Sequence, residues 1–423
     1  MNELSGVDVT TLPNGLRVVS EHMPRLESAA VGVWVDAGAR YESADINGIA
    51  HMLEHMAFKG TERRSAYAIA EEVEAVGGHM NAYTSREQTA YFIRVLKGDV
   101  PLAVDILADI LQHSTFDAGE LERERSVIIQ EIGQTEDTPD DIVFDHLQAA
   151  AFPDQPVGRS ILGSIENVSG MGRETLADFM TQHYQASKLI LCAAGAVDHQ
   201  SLVNLAREHF GDVGQGDAPG YDQASYKGQE KRDQRQLEQV HFALGLPGIA
   251  YDDDDFYACQ VMSTILGGGM SSRLFQEVRE KRGLCYSVFS FASSFHDGGL
   301  FGVYAGTGED QVAELVPVMC DVLTGLAGDL RDEEVTRART QLKAGLLMSL
   351  ETPGARSEQI ARQMMIHGRP LSTQEIVDQV DAVDAVAVKR IVSRICSAGK
   401  PTIAAVGPLK GLASHDKIAA QFG

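Results

Sequence analysis

The sequence predicts an α+β protein made of two homologous α/β sandwiches. Three observations predict it: strand and helix signals alternate in both halves, a polar stretch interrupts the chain near its midpoint, and the first half recurs in the second at a fixed offset. Shifted by 214 residues, Glu120, Arg123, Arg125 and Thr138-Pro139 fall on Glu334, Arg337, Arg339 and Thr352-Pro353. A similar strand and apolar helix precede each set, TAYFIRVL then PLAVDILADIL in the first half and GLFGVYAG then VAELVPVMCDVL in the second. The repeated element order, more than the few identities, argues for duplication. The midpoint stretch 212–234 is polar, rich in Gly and turn formers and nearly free of aliphatic residues, which reads as a linker. The expected division is a first domain over 1–215, a linker over 216–234 and a second domain over 235–423.

In order along the chain, TTLPNGLRVVSEH reads as a strand pair turned at Pro13-Asn14-Gly15, and AAVGVWVDAG (29–38) as a buried strand. A helix carrying HMLEHMAF should start near Asn47, a suitable N-cap. A second helix is expected over 65–76, followed by Gly77-Gly78 and strands over 79–85 and 88–96. The stretches 101–114, with Pro101 in its first turn, and 119–134 both have helical periodicity.

Sixty acidic residues against thirty-six basic ones leave a net charge of −24, a field that repels phosphate backbones and argues against nucleic acid. Cys192, Cys259, Cys285, Cys320 and Cys396 are scattered and never form a CxxC pair. That argues against a disulfide framework or a thiolate metal site and fits a reducing compartment. Neither a secretory signal nor a membrane-spanning apolar run is visible, so a cytoplasmic location with no membrane partner is the expectation.

The sharpest chemical signal is His51-Met52-Leu53-Glu54-His55. On a helix, positions i and i+4 share a face, so both imidazoles can reach one metal ion, with Glu54 near the same edge. The pattern is the inverse of the HExxH zinc-protease motif, in which the Glu acts as a base rather than a ligand. Zinc at a catalytic site takes a third protein ligand, and the helix over 119–134 offers Glu122, Glu124 and Glu131. Glu124 and Glu131 lie two turns apart, so one can ligate while the other supports it. Glu131 closely follows the apolar run Val127-Ile128-Ile129. The repeat-equivalent positions are Ala338 and Gly345, so both carboxylates belong to the histidine-bearing half alone.

HMLEHMAFKGT, ERERSVIIQEI and the later GGGMSSRLFQEVREKRGLCYSV resemble the pitrilysin-type inverzincin metallopeptidases over almost the whole chain. The likeness is to the branch that holds the β subunit of the mitochondrial processing peptidase and its single-chain bacterial relatives. The resemblance implies two mostly antiparallel sheets covered by helices, with His51, His55 and Glu131 as the ligands of one Zn²⁺ per chain. It makes Glu124 the supporting carboxylate and Glu54 the base. Asn81, Ala82 and Tyr83 match an edge strand onto which the substrate adds, and Phe58 a residue lining the pocket beyond the scissile bond. Asp141 and Asp145 match acidic residues that recognise arginine upstream of the cleavage site. Gly267, Gly268 and Gly269 match a flexible flap that handles substrate, and Arg279 with Tyr286 a pair that reaches the scissile carbonyl from the facing domain.

The resemblance thus implies a zinc endopeptidase of extended peptides or unfolded segments, with basic residues near the cut. It also implies a clam-shell homodimer in which each site is completed by Arg279 and Tyr286 of the other copy. Plainer roles stand beside these: strand packing for Tyr83, core packing for Phe58, a solvated helix face for Asp141 and Asp145, and a simple hinge for the glycines. The rival function is a noncatalytic scaffold or peptide-binding subunit of the same fold.

Overall fold

A computed structural model of the chain describes residues 6–216 and 219–422. Asp217 and Ala218 of the expected linker, together with the first five residues and the last, lie outside the described residues.

In chain order the first half forms β1 (Val7–Thr11), β2 (Arg17–His22), β3 (Ser28–Val35), α1 (Ile49–Ala57), α2 (Ala66–Ala75), β4 (His79–Thr84) and β5 (Thr89–Leu96). It continues through α3 (Val100–Gln112), α4 (Ala118–Glu136), α5 (Pro139–Ala151), α6 (Ile165–Gly170), α7 (Arg173–His183), β6 (Leu189–Gly195) and α8 (His199–Phe210). The second half forms β7 (Glu230–Gln234), β8 (Val240–Gly248), α9 (Phe256–Gly267), β9 (Cys285–Phe295), β10 (Gly298–Thr307) and α10 (Val312–Asp329). It ends with α11 (Asp332–Ser349), α12 (Pro353–His367), α13 (Thr373–Asp381), α14 (Ala385–Ser397), β11 (Thr402–Gly407) and α15 (His415–Ala419).

The strands make two sheets, ordered β1-β2-β6-β3-β5-β4 and β7-β11-β8-β10-β9. Apart from β1 the two orders are the same, and each contains one parallel pair, β2 with β6 and β7 with β11, the other pairs being antiparallel. The duplication read from the sequence is therefore a duplication of topology. Its shared letters have structural causes. Arg125 donates to the carbonyls of Val168 and Met171 at 3.1 and 2.8 Å, and Arg339 to those of Asp381 and Val383 at 2.7 and 3.1 Å. Each arginine thus satisfies carbonyls at the end of a short helix, α6 or α13. Thr138 and Thr352 occupy the N-cap position of α5 and α12, each followed by a proline whose fixed φ suits the first turn.

Both sheets are covered on both faces, with alternate residues of a strand pointing to opposite sides. In β6, Leu189, Leu191 and Ala193 face one apolar cluster and Ile190 and Cys192 the other. In β11, Ile403 and Ala405 face one cluster and Ala404 and Val406 the other. Double coverage explains why these strands read as continuous apolar runs.

The compact units differ from the expected domains. The first gathers residues up to 133 with 160–222 and 347–373; the second gathers 134–159, 223–346 and 374 onward. The exchanged segments are the repeat-equivalent helices α5 and α12. Ile142, Val143, Leu147 and Ala151 of α5 pack with Ala243, Ala404 and Val406. Ile360, Ala361 and Met364 of α12 pack with Trp34, Ile190 and Cys192. An apolar stripe shows that a helix will be buried but not which sheet will take it, so the contiguous division 1–215 and 235–423 is corrected here. The linker 216–234 is corrected too, because its last five residues are β7, an edge strand that stays polar with neither end buried. Among the described residues no helix is long and apolar enough to cross a membrane.

Candidate metal centre

The helix α1 buries Ile49, Ala50, Met52, Leu53 and Met56 in the first unit's core, and this turns His51, Glu54 and His55 to the opposite face. Its start is not capped by Asn47 as expected. Gly48, at φ +100°, holds the N-cap position, and a Cβ there would lie 2.9 Å from Gly163 Cα. The buried Glu42 carboxylate does the capping, accepting from the Gly48 and Ala50 amides at 2.8 Å each and from Asn47 Nδ2 at 2.7 Å.

Across from α1, helix α4 buries Leu121, Glu124, Ile128 and Ile132 along one stripe, bringing Glu131 alongside. Glu131 Oε2 lies 3.6 Å from His51 Nε2 and 3.7 Å from His55 Nε2. The three ligand atoms all lie within 4.8 Å of one another. The Glu131 separations are too long for hydrogen bonds. They are close to the spacing of roughly 3.4 Å between neighbouring ligands that metal–ligand bonds of about 2.0–2.2 Å give around a tetrahedral zinc ion. The donor set therefore fits a zinc ion. Burial, and then the neighbouring His55, push the His51 pKa down to about 4, so it is neutral, the metal-binding form, at pH 7.

The supporting groups are also in place. His55 Nδ1 lies 2.9 Å from Glu124 Oε2, and Lys59 Nζ lies 2.7 Å from Glu124 Oε1. Burial works against the Glu124 carboxylate, but the hydrogen bonds from Lys59 and His55 outweigh it and hold its pKa below the ordinary value. Glu54 behaves oppositely: burial raises its pKa despite the 2.6 Å hydrogen bond from Thr84 Oγ1 to its Oε2. Glu42, Lys59 and Thr84 escaped the sequence reading. Lys59 stood four residues beyond His55, a spacing that could have flagged it, whereas Glu42 and Thr84 carry no local signal.

Thr84 ends β4, the free edge of the first sheet, so Asn81, Ala82 and Tyr83 lie on an edge strand as expected. Tyr83 also accepts from Gln88 Nε2 at 3.0 Å and donates to Glu358 at 3.2 Å. Phe58 is half-buried against the core, its ring 6.1 Å from that of Tyr91. Asp141 and Asp145 are not in the unit that holds the metal cluster. They sit on α5 in the second unit, Asp141 exposed and Asp145 half-buried. In that unit Arg279 lies over the Tyr286 ring, 4.7 Å from its centroid, and Tyr286 is 75% exposed. Only part of the glycine run is open. A Cβ on Gly267 would meet Ser290 N at 2.2 Å and one on Gly268 would meet Thr264 Cα at 2.7 Å, whereas Gly269 has nothing nearer than 4.0 Å. Gly267 and Gly268 thus leave no room for a side chain, whereas Gly269 does.

With this geometry established, similarity to known proteins decides the family. Residues 17–165 match the family model described as Insulinase (Peptidase family M16), and residues 170–342 the one described as Peptidase M16 inactive domain. The mitochondrial-processing peptidase subunit beta of Mus musculus is 39% identical over 424 residues, which cover 97% of this chain and 86% of that protein. The chain belongs to the M16 peptidase family. A further relative, an uncharacterized zinc protease of Streptomyces coelicolor, is 40% identical over 97% of this chain and 92% of its own length. Two solved structures share the fold at a TM-score of 0.88. One is a chain of complex III2 from Candida albicans, 21% identical, covering 99% of this chain and all of that one. The other is a protease from Helicobacter pylori, 24% identical, covering 95% of this chain and all of that one.

Proposed function

We propose that this M16 family member is a zinc-dependent endopeptidase of extended peptides or unfolded segments, with one zinc ion per chain held by His51, His55 and Glu131. The observation that carries the reading is the meeting of those three donors on α1 and α4 beside a half-buried Glu54 whose pKa is raised. Zinc, when bound, polarises the scissile carbonyl and brings the pKa of the attacking water toward neutrality. Glu54 takes the water proton as the new C–O bond forms and returns it to the amide nitrogen as the C–N bond breaks. Its raised pKa suits both transfers, and Thr84 fixes which oxygen faces the reacting atoms. Glu124, kept ionised by Lys59, accepts from His55 Nδ1 and leaves Nε2 for the metal.

The peptide adds to the free edge of β4 along Asn81, Ala82 and Tyr83, which accepts varied sequences in one extended conformation. Phe58 lines the pocket beyond the scissile bond. Asp141 and Asp145, with the net charge of −24, favour basic residues near the cut. Arg279 and Tyr286 of a second copy complete each site in a cytoplasmic clam-shell homodimer and stabilise the tetrahedral oxyanion.

Incubation of the purified protein with a basic, extended peptide tests the activity. Cleavage should stop on chelation and return with added zinc. Binding without cleavage in zinc-loaded protein would instead favour a noncatalytic scaffold or peptide-binding subunit. Shared sites are tested by mixing Glu54→Gln with Arg279→Ala. The mixture should regain activity that neither variant has alone, and a mixture as inactive as its parts would rule out completion by a second copy.

A further inference from the structure

The first unit holds a cavity of about 600 Å³ at the opposite end of β4 from Glu54. It is lined by His79 and Asn81 of β4, Arg94 of β5, and the first turn of α12 from Thr352 to Ala355. His79 and Arg94 stand directly opposite each other in the β4–β5 register. The Arg94 side chain also runs along the start of α12, its Cδ 3.9 Å from where a Cβ on Gly354 would be. The guanidinium is thus close to the positive end of a helix dipole and across from an imidazole, an arrangement that gathers groups able to hold an anion. No carboxylate lines the cavity, although the chain carries sixty acidic residues. Among the described residues neither the Arg94 nor the His79 side chain makes a hydrogen bond or ion pair, and both residues are exposed. An anion in the cavity would meet all these donors at once.

We propose that this cavity binds a carboxylate of the peptide that lies along β4, an inference that rests on the edge-strand reading of substrate binding above. The strand rise of about 3.4 Å per residue puts His79 about 17 Å from Thr84, the residue hydrogen-bonded to Glu54. The carboxylate therefore belongs five or six residues from the scissile bond, either as a Glu side chain or as the peptide's C-terminus. The site adds a length-dependent selectivity that the zinc cluster cannot provide, because the zinc cluster senses only the bond being cut.

The test uses full-length protein and peptides with one scissile sequence. One pair carries Glu or Gln at the fifth and sixth positions from the cut on either side, and the other pair ends there as a free acid or an amide. The expected result is a preference of about tenfold in kcat/KM for a carboxylate in one of the two pairs, expressed in KM. Whichever pair shows it identifies the source of the carboxylate. In Arg94→Gln the ratio should fall to about one. Gly354→Asp would place an internal carboxylate beside Arg94 and should abolish the same preference while keeping the helix start sound. The same peptides are also measured for binding by fluorescence anisotropy. If no peptide is cleaved, the peptidase reading fails, while the anisotropy ratio still decides the cavity. Equal affinity for both members of each pair, or a preference that survives in both variants, would overturn the proposal.

Discussion

The two halves of the chain share one topology and divide the work unequally. Helix α4 carries Glu124 and Glu131 toward the histidines of α1, whereas α11, its repeat, has Ala338 and Gly345 at those positions. What both halves keep is structural: the arginine that ties down α6 or α13, and the Thr-Pro that starts the exchanged helix. The comparison teaches that the duplicated fold needs neither carboxylate, so their presence in one half alone supports the proposed role at the metal.

The largest effect expected from this division is catalytic and confined to the first half. Glu54→Gln should lower kcat roughly a thousandfold, within the range of general acid–base contributions, while bound zinc, measured by metal analysis, stays at the wild-type level. Activity near wild type would break the assignment of chemistry to α1.

The next effect concerns a letter that both halves share but use differently. Glu334 is buried and takes hydrogen bonds from Arg273 at 2.8 and 2.9 Å and from the Arg331 amide at 3.1 Å. Its equivalent Glu120 makes only a surface pair with Arg123. Glu334→Gln should cost about 3 kcal/mol at pH 7 in chemical denaturation, the scale for breaking a buried pair, while Glu120→Gln leaves the midpoint unchanged. Burial opposes the Glu334 charge, but the Arg273 hydrogen bonds outweigh it and bring its pKa down to about 2. A depressed carboxylate stabilises the fold fully above its unfolded pKa of about 4.3 and loses that contribution as the pH falls through about 2. The gap between wild type and Glu334→Gln should therefore narrow over that window. Equal costs at Glu120 and Glu334 would contradict the different uses described.

A smaller effect separates the two α4 carboxylates. Glu124→Gln should weaken zinc binding about 10–100-fold by chelator competition, the usual consequence of losing a group that orients a ligand. A loss as complete as that of Glu131→Gln would make Glu124 a ligand and reverse the assignment.

Much of this arrangement was legible in the sequence because it is local. The i, i+4 histidines fix a shared helix face, and the 214-residue repeat carries the sheet order with it. What was not legible depends on contacts between distant residues. Helices α5 and α12 show an apolar stripe that names no destination, and β7 escaped because an edge strand needs no apolar residue. Glu42 caps α1 from a separate segment, so the nearer Asn47 looked like the cap. The steric pressure on Gly267 and Gly268 from Ser290 and from the Thr264 backbone likewise leaves no mark on local composition.

X-ray absorption on the zinc-loaded protein tests the central claim most directly. The account predicts one zinc ion per chain, with two imidazole nitrogens and a carboxylate oxygen at about 2.0–2.2 Å and a further light-atom ligand. The zinc should be lost in Glu131→Gln. Sulfur in the coordination shell, or an unchanged spectrum in Glu131→Gln, would contradict it.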